Sequence, residues 1–165
     1  MSALGLELLQ RLQLQFDIDQ LNAAYATALD EKRFDAWPEF FLEDGRYTLQ
    51  ARENHERQLP LALMDLESRG MMKDRVYGIT QTIFHRPYYT RHVISPARVL
   101  SVEGEIITAQ TDYAVFRTRP AGVSEVYNVG RYIDEIMLTG EDLKFRRRLC
   151  VYDSEMILNS LIYPV

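Results

Sequence analysis

Three histidines, one cysteine and a run of three arginines are the groups in this 165-residue chain best suited to chemistry. The histidines are His55, His85 and His92. No two of them stand four apart, and none sits in a Cys/His cluster, so the usual metal-ligand spacings are missing. A two-histidine, one-carboxylate iron site could be gathered from scattered residues, but no spacing supports it. His85 and His92 read instead as hydrogen-bonded surface or interface residues. Cys150 is the sole cysteine. It excludes an intrachain disulfide and an all-cysteine cluster built from one copy, and it fits a reducing compartment. The G-x-S-x-G elbow, the P-loop and the G-x-G-x-x-G turn are all absent.

The arginines are Arg146, Arg147 and Arg148. Strand alternation puts Arg146 and Arg148 on a polar face and Arg147 on the face of Leu143 and Leu149. An inward arginine requires a carboxylate partner or a protein surface, which makes Arg147 the most informative of the three. Tyrosine is abundant, with ten residues. Tyr88, Tyr89, Tyr113, Tyr127, Tyr132 and Tyr152 lie on or beside expected strands. On an outer face they suit a protein interface; inside a curved sheet they suit an apolar pocket.

The elements that must position these groups begin with the stretch from Ile106 to Val151, which reads as three long strands joined by tight turns. Ile107, Ala109, Thr111, Tyr113 and Val115 share one face of the first. Val123, Tyr127, Val129, Ile133 and Met137 share a face of the second. In the third, Leu143, Phe145, Leu149 and Val151 alternate with Lys144, Arg146 and Arg148. A period of two marks half-buried strands, and the turns Arg119-Pro120-Ala121-Gly122 and Thr139-Gly140-Glu141-Asp142 carry turn chemistry. The result is an antiparallel meander with one face in need of a cover. Long strands twist and curl.

The cover comes from the N-terminal half. Residues 4–30 read as helix, with Leu14, Ile18, Leu21, Tyr25 and Ala28 on one stripe. The earlier leucines drift from that register, so residues 1–13 are a candidate arm. It either docks on a partner or folds back on its own sheet. Asp35 reads as a helix N-cap before Ala36, Trp37 and Pro38. Phe34, Trp37, Phe40 and Phe41 form an aromatic edge expected to plug the sheet. Asp44-Gly45 reads as a stop before a short strand, Arg46 to Gln50. A charged loop is expected over 52–57 and a helix from Leu59, with Gly70 as its break. Residues 71–78 add one or two turns. The stretch 81–90 is too aromatic for an idle loop. A strand is expected over 91–101, with Pro96 marking an edge or bulge, then a turn at Val102 to Glu105.

Helices first and strands afterwards indicate α+β architecture, with helices on one face of an antiparallel sheet. Such a cone can hold a pocket. The length suits a single domain, residues 1–165. The net charge of -5 and a pI of about 5.2 argue against a nucleic-acid partner. No stretch is long and apolar enough to span a bilayer. The N-terminus lacks a basic n-region and a continuous apolar h-region, so a cytoplasmic protein is expected.

Several stretches together resemble one family. Leu21-Asn22-Ala23-Ala24-Tyr25-Ala26 leads to Leu29-Asp30, then Trp37-Pro38-Glu39-Phe40-Phe41 to Asp44 and Tyr47. Asp74-Arg75-Val76 follows, and then His85-Arg86-Pro87 with Tyr89-Thr90-Arg91-His92. This ordered set resembles the small (beta) subunit of Rieske-type aromatic-ring-hydroxylating dioxygenases, from about residue 15 to the C-terminus. It is most similar to subunits serving oxygenases of aromatic carboxylates such as benzoate, anthranilate, salicylate or terephthalate. The resemblance implies a cystatin-like, nuclear-transport-factor-like cone, N-terminal helices packed on a strongly curved, mainly antiparallel sheet. It implies a large (alpha) subunit as partner, three copies with three. That partner would carry the Rieske 2Fe–2S cluster and the mononuclear iron, and a separate reductase would supply electrons. The small subunit would be mainly structural, with no catalytic, cofactor or metal residue of its own. A Rieske centre needs two cysteines and two histidines, and one cysteine cannot supply it. The expected subunit interface is the exposed sheet face and the loop from His85, through Arg86 and Tyr88, to Arg91, together with Arg147.

The same cone also houses stand-alone isomerases and dehydratases, which place an acid or histidine base in an apolar pocket. By residue type Tyr25, Asp44, His85 and Asp134 are the candidates for that reading. A plain dimeric binding module is the third reading.

Overall fold

The apolar stripe near the N-terminus forms the buried side of one helix, α1 (Leu8–Asp30). In the computed structural model, which describes residues 7–154 and 161–165, Ile18, Tyr25 and Ala28 are fully buried, with Leu14 and Leu21 packed at their edge. The helix runs unbroken through residue 13, so over residues 8–13 the expected arm is the first turns of α1. Residues 1–6 of that arm lie outside the described residues. Leu8, Leu9, Leu12 and Phe16 are exposed on α1. The next element is a 3-10 helix, Phe34–Phe40, not an α-helix capped by Asp35; Arg33 occupies the cap position. Pro38 inside it has no N–H for a longer helix to use. Its aromatic edge packs as the plug that the sequence suggested, with Phe34, Trp37 and Phe41 buried.

Strand β1 (Phe41–Ala51) passes straight through Asp44-Gly45. The expected stop is instead a register shift between Phe41 and Arg46. Helix α2 (Arg52–Glu56) stands where a charged loop was expected. Two ion pairs one turn apart, Arg52–Glu56 at 2.7 Å and Glu53–Arg57 at 2.6 Å, account for it. The helix expected from Leu59 does not form. Residues Leu59, Leu61 and Leu63 are exposed, β2 follows (Met64–Leu66), and the helix is α3 (Arg69–Tyr77). Ser68 caps it, its Oγ accepting from Met71 N at 3.2 Å. Gly70 lies in its first turn rather than at a break. A π turn at Gly78–Thr82 leads into the aromatic loop. The strand expected over 91–101 is split around Pro96 into β3 (Tyr89–Ile94) and β4 (Arg98–Glu103).

The meander forms as β5 (Ile106–Thr118), β6 (Ser124–Thr139) and β7 (Asp142–Tyr152). The sheet order is β2-β1-β7-β6-β5-β3, with β4 also on β5. Only the β1–β7 pairing is parallel among the described strands. Helix α1 packs on β3 and β7, and the α+β cone is the architecture observed.

The face expected for β5 is buried throughout. Of the face expected for β6 only Tyr127, at a register shift opposite Val115 and Phe116, is buried; beyond it the face is inverted, with Tyr132, Asp134 and Ile136 inward, Val123 and Val129 exposed and Ile133 and Met137 half-buried. A polar Asp134 in the middle of the inward face disguised it. In β7 the register slips at Arg146: Ile136 opposes Phe145, yet Glu135 opposes Arg147. One extra residue resets the alternation. Arg148 therefore points inward and is fully buried, whereas Arg147 is exposed, the reverse of the expectation from strict alternation.

Such bulges bend the strands they interrupt and increase their twist. A close approach between strands is at Gly130, opposite Tyr152. A β-carbon there would fall on Val151 O and lie 2.8 Å from Tyr152 Cα. Gly130→Ala is expected to destabilise the fold by about 1–3 kcal/mol, the usual cost of overpacking, read as a lower midpoint in urea.

Candidate functional site

The inverted face of β6 and the bulge of β7 bring Asp134 and Arg148 directly opposite each other. Arg148 Nε donates to Asp134 Oδ1 at 2.9 Å and Nη2 to Oδ2 at 2.8 Å, with both side chains fully buried. Nη2 also donates to Asn22 Oδ1 on α1. Asn22 Nδ2 reaches Thr111 Oγ1 on β5 at 3.2 Å. The guanidinium lies among three rings, with Cζ 3.8 Å from the Phe145 centroid, 4.1 Å from Tyr132 and 4.3 Å from Tyr25. A bidentate pair with cation–π contacts is what lets a charge persist in a dry core. Burial raises the Asp134 carboxyl above its ordinary range, with Arg148 opposing. Burial alone would lower the Arg148 guanidinium; Asp134 and the tyrosines outweigh it and hold the group above its ordinary value. The bidentate fork is the geometry that favours the ionised form of such a pair.

The remaining interior is filled by residues 161–165. Tyr25 OH donates to Val165 O at 2.7 Å, and Val165 N donates to Tyr47 OH at 3.1 Å. Cys150 Sγ stands 3.8 Å from the same Val165 oxygen. Arg75 Nη2 donates to Ile162 O at 2.7 Å. The Tyr163 ring lies 4.7 Å from those of Phe34 and Tyr88, and its hydroxyl is 3.2 Å from His85 Nε2. Leu161, Ile162, Tyr163 and Val165 are all buried. Burial pushes the Cys150 thiol up to about 12 and raises the Tyr25 and Tyr47 hydroxyls too. The upward shifts favour the protonated forms, in which these groups serve as hydrogen-bonding partners of the peptide.

The acid–base candidates do not gather around one pocket; Tyr25 and Asp134 meet only at Arg148. Tyr25 is bound to Val165, Asp134 to Arg148 and His85 to Tyr163, while Asp44 is exposed beside the β1 bulge. Of the expected interface residues, Arg86 and Arg91 are exposed and His85 is half-buried. Tyr88 is buried, its ring 5.9 Å from Tyr127 and 5.7 Å from the Arg117 guanidinium. Arg147 lies apart from them, on the outer face of the sheet.

His92, expected at the surface, is buried. Its Nδ1 lies 2.6 Å from Asp30 Oδ1, and its backbone N donates to Oδ2 at 2.9 Å, tying the end of α1 to β3. Burial would raise the Asp30 carboxyl, but the His92 hydrogen bonds and charge outweigh it and hold it below the ordinary range. The chain's own donors do not fit a Rieske centre. The one thiol is buried and neutral, and two of the three histidines are tied to Asp30 and Tyr163. Nothing in the sequence marked residues 161–165 as interior, because a five-residue apolar run has no period to read.

Two outcomes are expected. Asp134→Ala leaves a buried guanidinium unpaired and costs about 3–5 kcal/mol; the double change Asp134→Leu with Arg148→Met costs less, by urea unfolding. The Asp30 carboxyl is depressed, so its contribution is fully present above its ordinary value of 3.8 and is lost as pH falls through the depressed value. The stability gap between the wild type and Asp30→Asn is therefore full at pH 7 and closes in strong acid, by thermal melts across pH.

The architecture recurs widely. A crystal structure described as a scytalone dehydratase from Novosphingobium aromaticivorans superposes with a TM-score of 0.68 at 17% identity, covering 90% of this chain and 91% of that one, and shares the fold alone. A structure described as the beta subunit of an aromatic-ring-hydroxylating dioxygenase from the same organism superposes with a TM-score of 0.85 at 36% identity, covering 95% of this chain and 98% of that one. The anthranilate 1,2-dioxygenase small subunit of Burkholderia cepacia is 29% identical over 91% of this chain and 93% of its own length. A terephthalate 1,2-dioxygenase terminal oxygenase subunit, beta 2 of Comamonas sp, is 26% identical over 92% and 98%. The profile of the ring hydroxylating beta subunit family matches residues 24–159, a span that holds the Asp134–Arg148 pair and its ring cage, and the chain belongs to that family.

Proposed function

We propose that this chain is the structural, non-catalytic small subunit of a cytoplasmic oxygenase that adds dioxygen-derived oxygen to an aromatic carboxylate. The observation that carries the reading is the filled cone. Where a stand-alone enzyme of this shape would need an open pocket, Tyr25, Tyr47 and Cys150 hold Val165. The relatives named for anthranilate and terephthalate support the substrate class. In this reading the large subunit holds the Rieske cluster and the mononuclear iron, three large subunits join three small ones, and a separate reductase delivers electrons. No step of the oxidation runs through a side chain of the present chain.

The loop from His85 to Arg91 is the proposed contact with the large subunit, with Arg147 as a second contact on the sheet. Phe84, 99% exposed, stands beside this loop, and Tyr89 is exposed as well. Tyr88 anchors the loop from within through Tyr163. Exposed aromatic and arginine side chains on an anchored loop suit an interface hot spot.

Gentle isolation of the tagged chain from its host tests the reading. The expected product is a coloured, iron-containing complex several times the mass of this chain, with a second, larger polypeptide. A colourless monomer or dimer would overturn it. Arg86→Ala with Arg91→Ala is expected to weaken assembly at least tenfold, about 1.4 kcal/mol or more, in a titration of large subunit; unchanged assembly would remove the loop from the interface.

A further inference from the structure

The outer face of the sheet carries a cleft of about 660 Å³, one end of which is Arg147, offered above as a second contact with the large subunit. Its floor is apolar, made by Ile133 on β6 and Leu149 on β7, and α2 forms a wall with His55. Arg131 and Arg147 stand at its two ends. Arg131 opposes Val151, whereas Arg147 opposes Glu135. Four residues of strand separate them, roughly 13 Å at the usual rise.

The two guanidiniums act on carboxylates only at a distance among the described residues, Arg131 on Glu56 and Arg147 on Asp65. Neither makes an ion pair or side-chain hydrogen bond among the described residues, although the two acidic side chains nearest the rim are engaged: Glu56 with Arg52 at 2.7 Å and Glu135 with Arg146 at 3.7 Å. Arg131 Nε is shielded from water and has no acceptor. A buried donor left unpaired is costly, and its presence in a folded protein calls for an explanation. A bound anion supplies one.

We infer that this cleft binds a small organic dianion: two carboxylate groups held apart by a flat apolar body, one taken by each arginine fork, the body lying on Ile133 and Leu149. Arginine is the residue suited to bidentate capture of a planar carboxylate. The apolar floor favours an organic body over a simple inorganic anion, and the four-residue offset of the two arginines along the strands suits a ligand charged at both ends. A recessed guanidinium favours a small ligand entering the cleft over a flat protein surface laid across it. The site lies within this chain and shares only Arg147 with the assembly proposed above, so it is tested on the chain alone.

Calorimetric titration of the full chain tests this, with benzene-1,4-dicarboxylate, benzoate, inorganic phosphate and hexaglutamate as probes. The dicarboxylate is expected to bind at least tenfold more tightly than benzoate, since the second charge-assisted fork is worth about that factor. Arg131→Gln and Arg147→Gln are each expected to erase that advantage while leaving the melting temperature unchanged. Absence of binding in the millimolar range would overturn the inference, as would equal affinity for phosphate or unaltered affinity in both variants. Preference for hexaglutamate would overturn it in favour of an acidic protein segment.

Discussion

An ion pair with no access to water organises this protein. Asp134 and Arg148 face each other across β6 and β7, and Asn22 brings α1 to the same guanidinium. Breaking such a pair by removing one partner exposes the other to the full desolvation cost. The consequence reaches three layers at once, because the rings that cage Arg148 come from α1 (Tyr25), β6 (Tyr132) and β7 (Phe145). The pair also fixes register. Slipping either strand by one residue would swing a charge to the wrong face, so the bulge at Arg146 and the inward turn of Arg148 stand or fall together.

Around that pair the cone closes on its own peptide. Tyr25 is shared between the two devices: its ring packs on Arg148 and its hydroxyl reaches Val165. The groups that a catalytic cone would turn on a substrate are here turned on backbone and on each other. Fold does not confer function: a scaffold that shares its fold with a structure described as a scytalone dehydratase here packs residues 161–165 into its interior, and the proposed contacts, the anchored aromatic loop and the arginine-ended cleft, lie on its outside.

Much of this was legible in the sequence, and the failures share a cause. The α1 stripe and the buried face of β5 followed from apolar periodicity alone, and the α+β class from the order of elements. The motif set of Trp37-Pro38, Asp74-Arg75-Val76 and Arg91-His92 led to the correct family. What failed was parity. A buried Asp134 made the inward face of β6 look solvated, and one extra residue at Arg146 exchanged Arg147 for Arg148. Periodicity assumes that polar means outward, and a paired charge breaks that assumption. Local helix signals misled near Leu59, where leucine spacing imitated a stripe, and at Asp35, where Pro38 favoured a 3-10 helix. The contacts of residues 161–165 were invisible because most join distant parts of the chain, as from Tyr25 to Val165 or Arg75 to Ile162.

The central claim is that the cone is closed, and Cys150 reports on it directly. Its thiol is fully buried against Val165, and burial has pushed it up to about 12. Only the thiolate reacts readily. The most direct measurement is the rate at which a disulfide reagent labels the native chain at pH 8, set beside the chain unfolded in urea. The account predicts rapid, stoichiometric labelling only after unfolding. Equally fast labelling of the native protein would show an open, solvated interior and would contradict the closed cone.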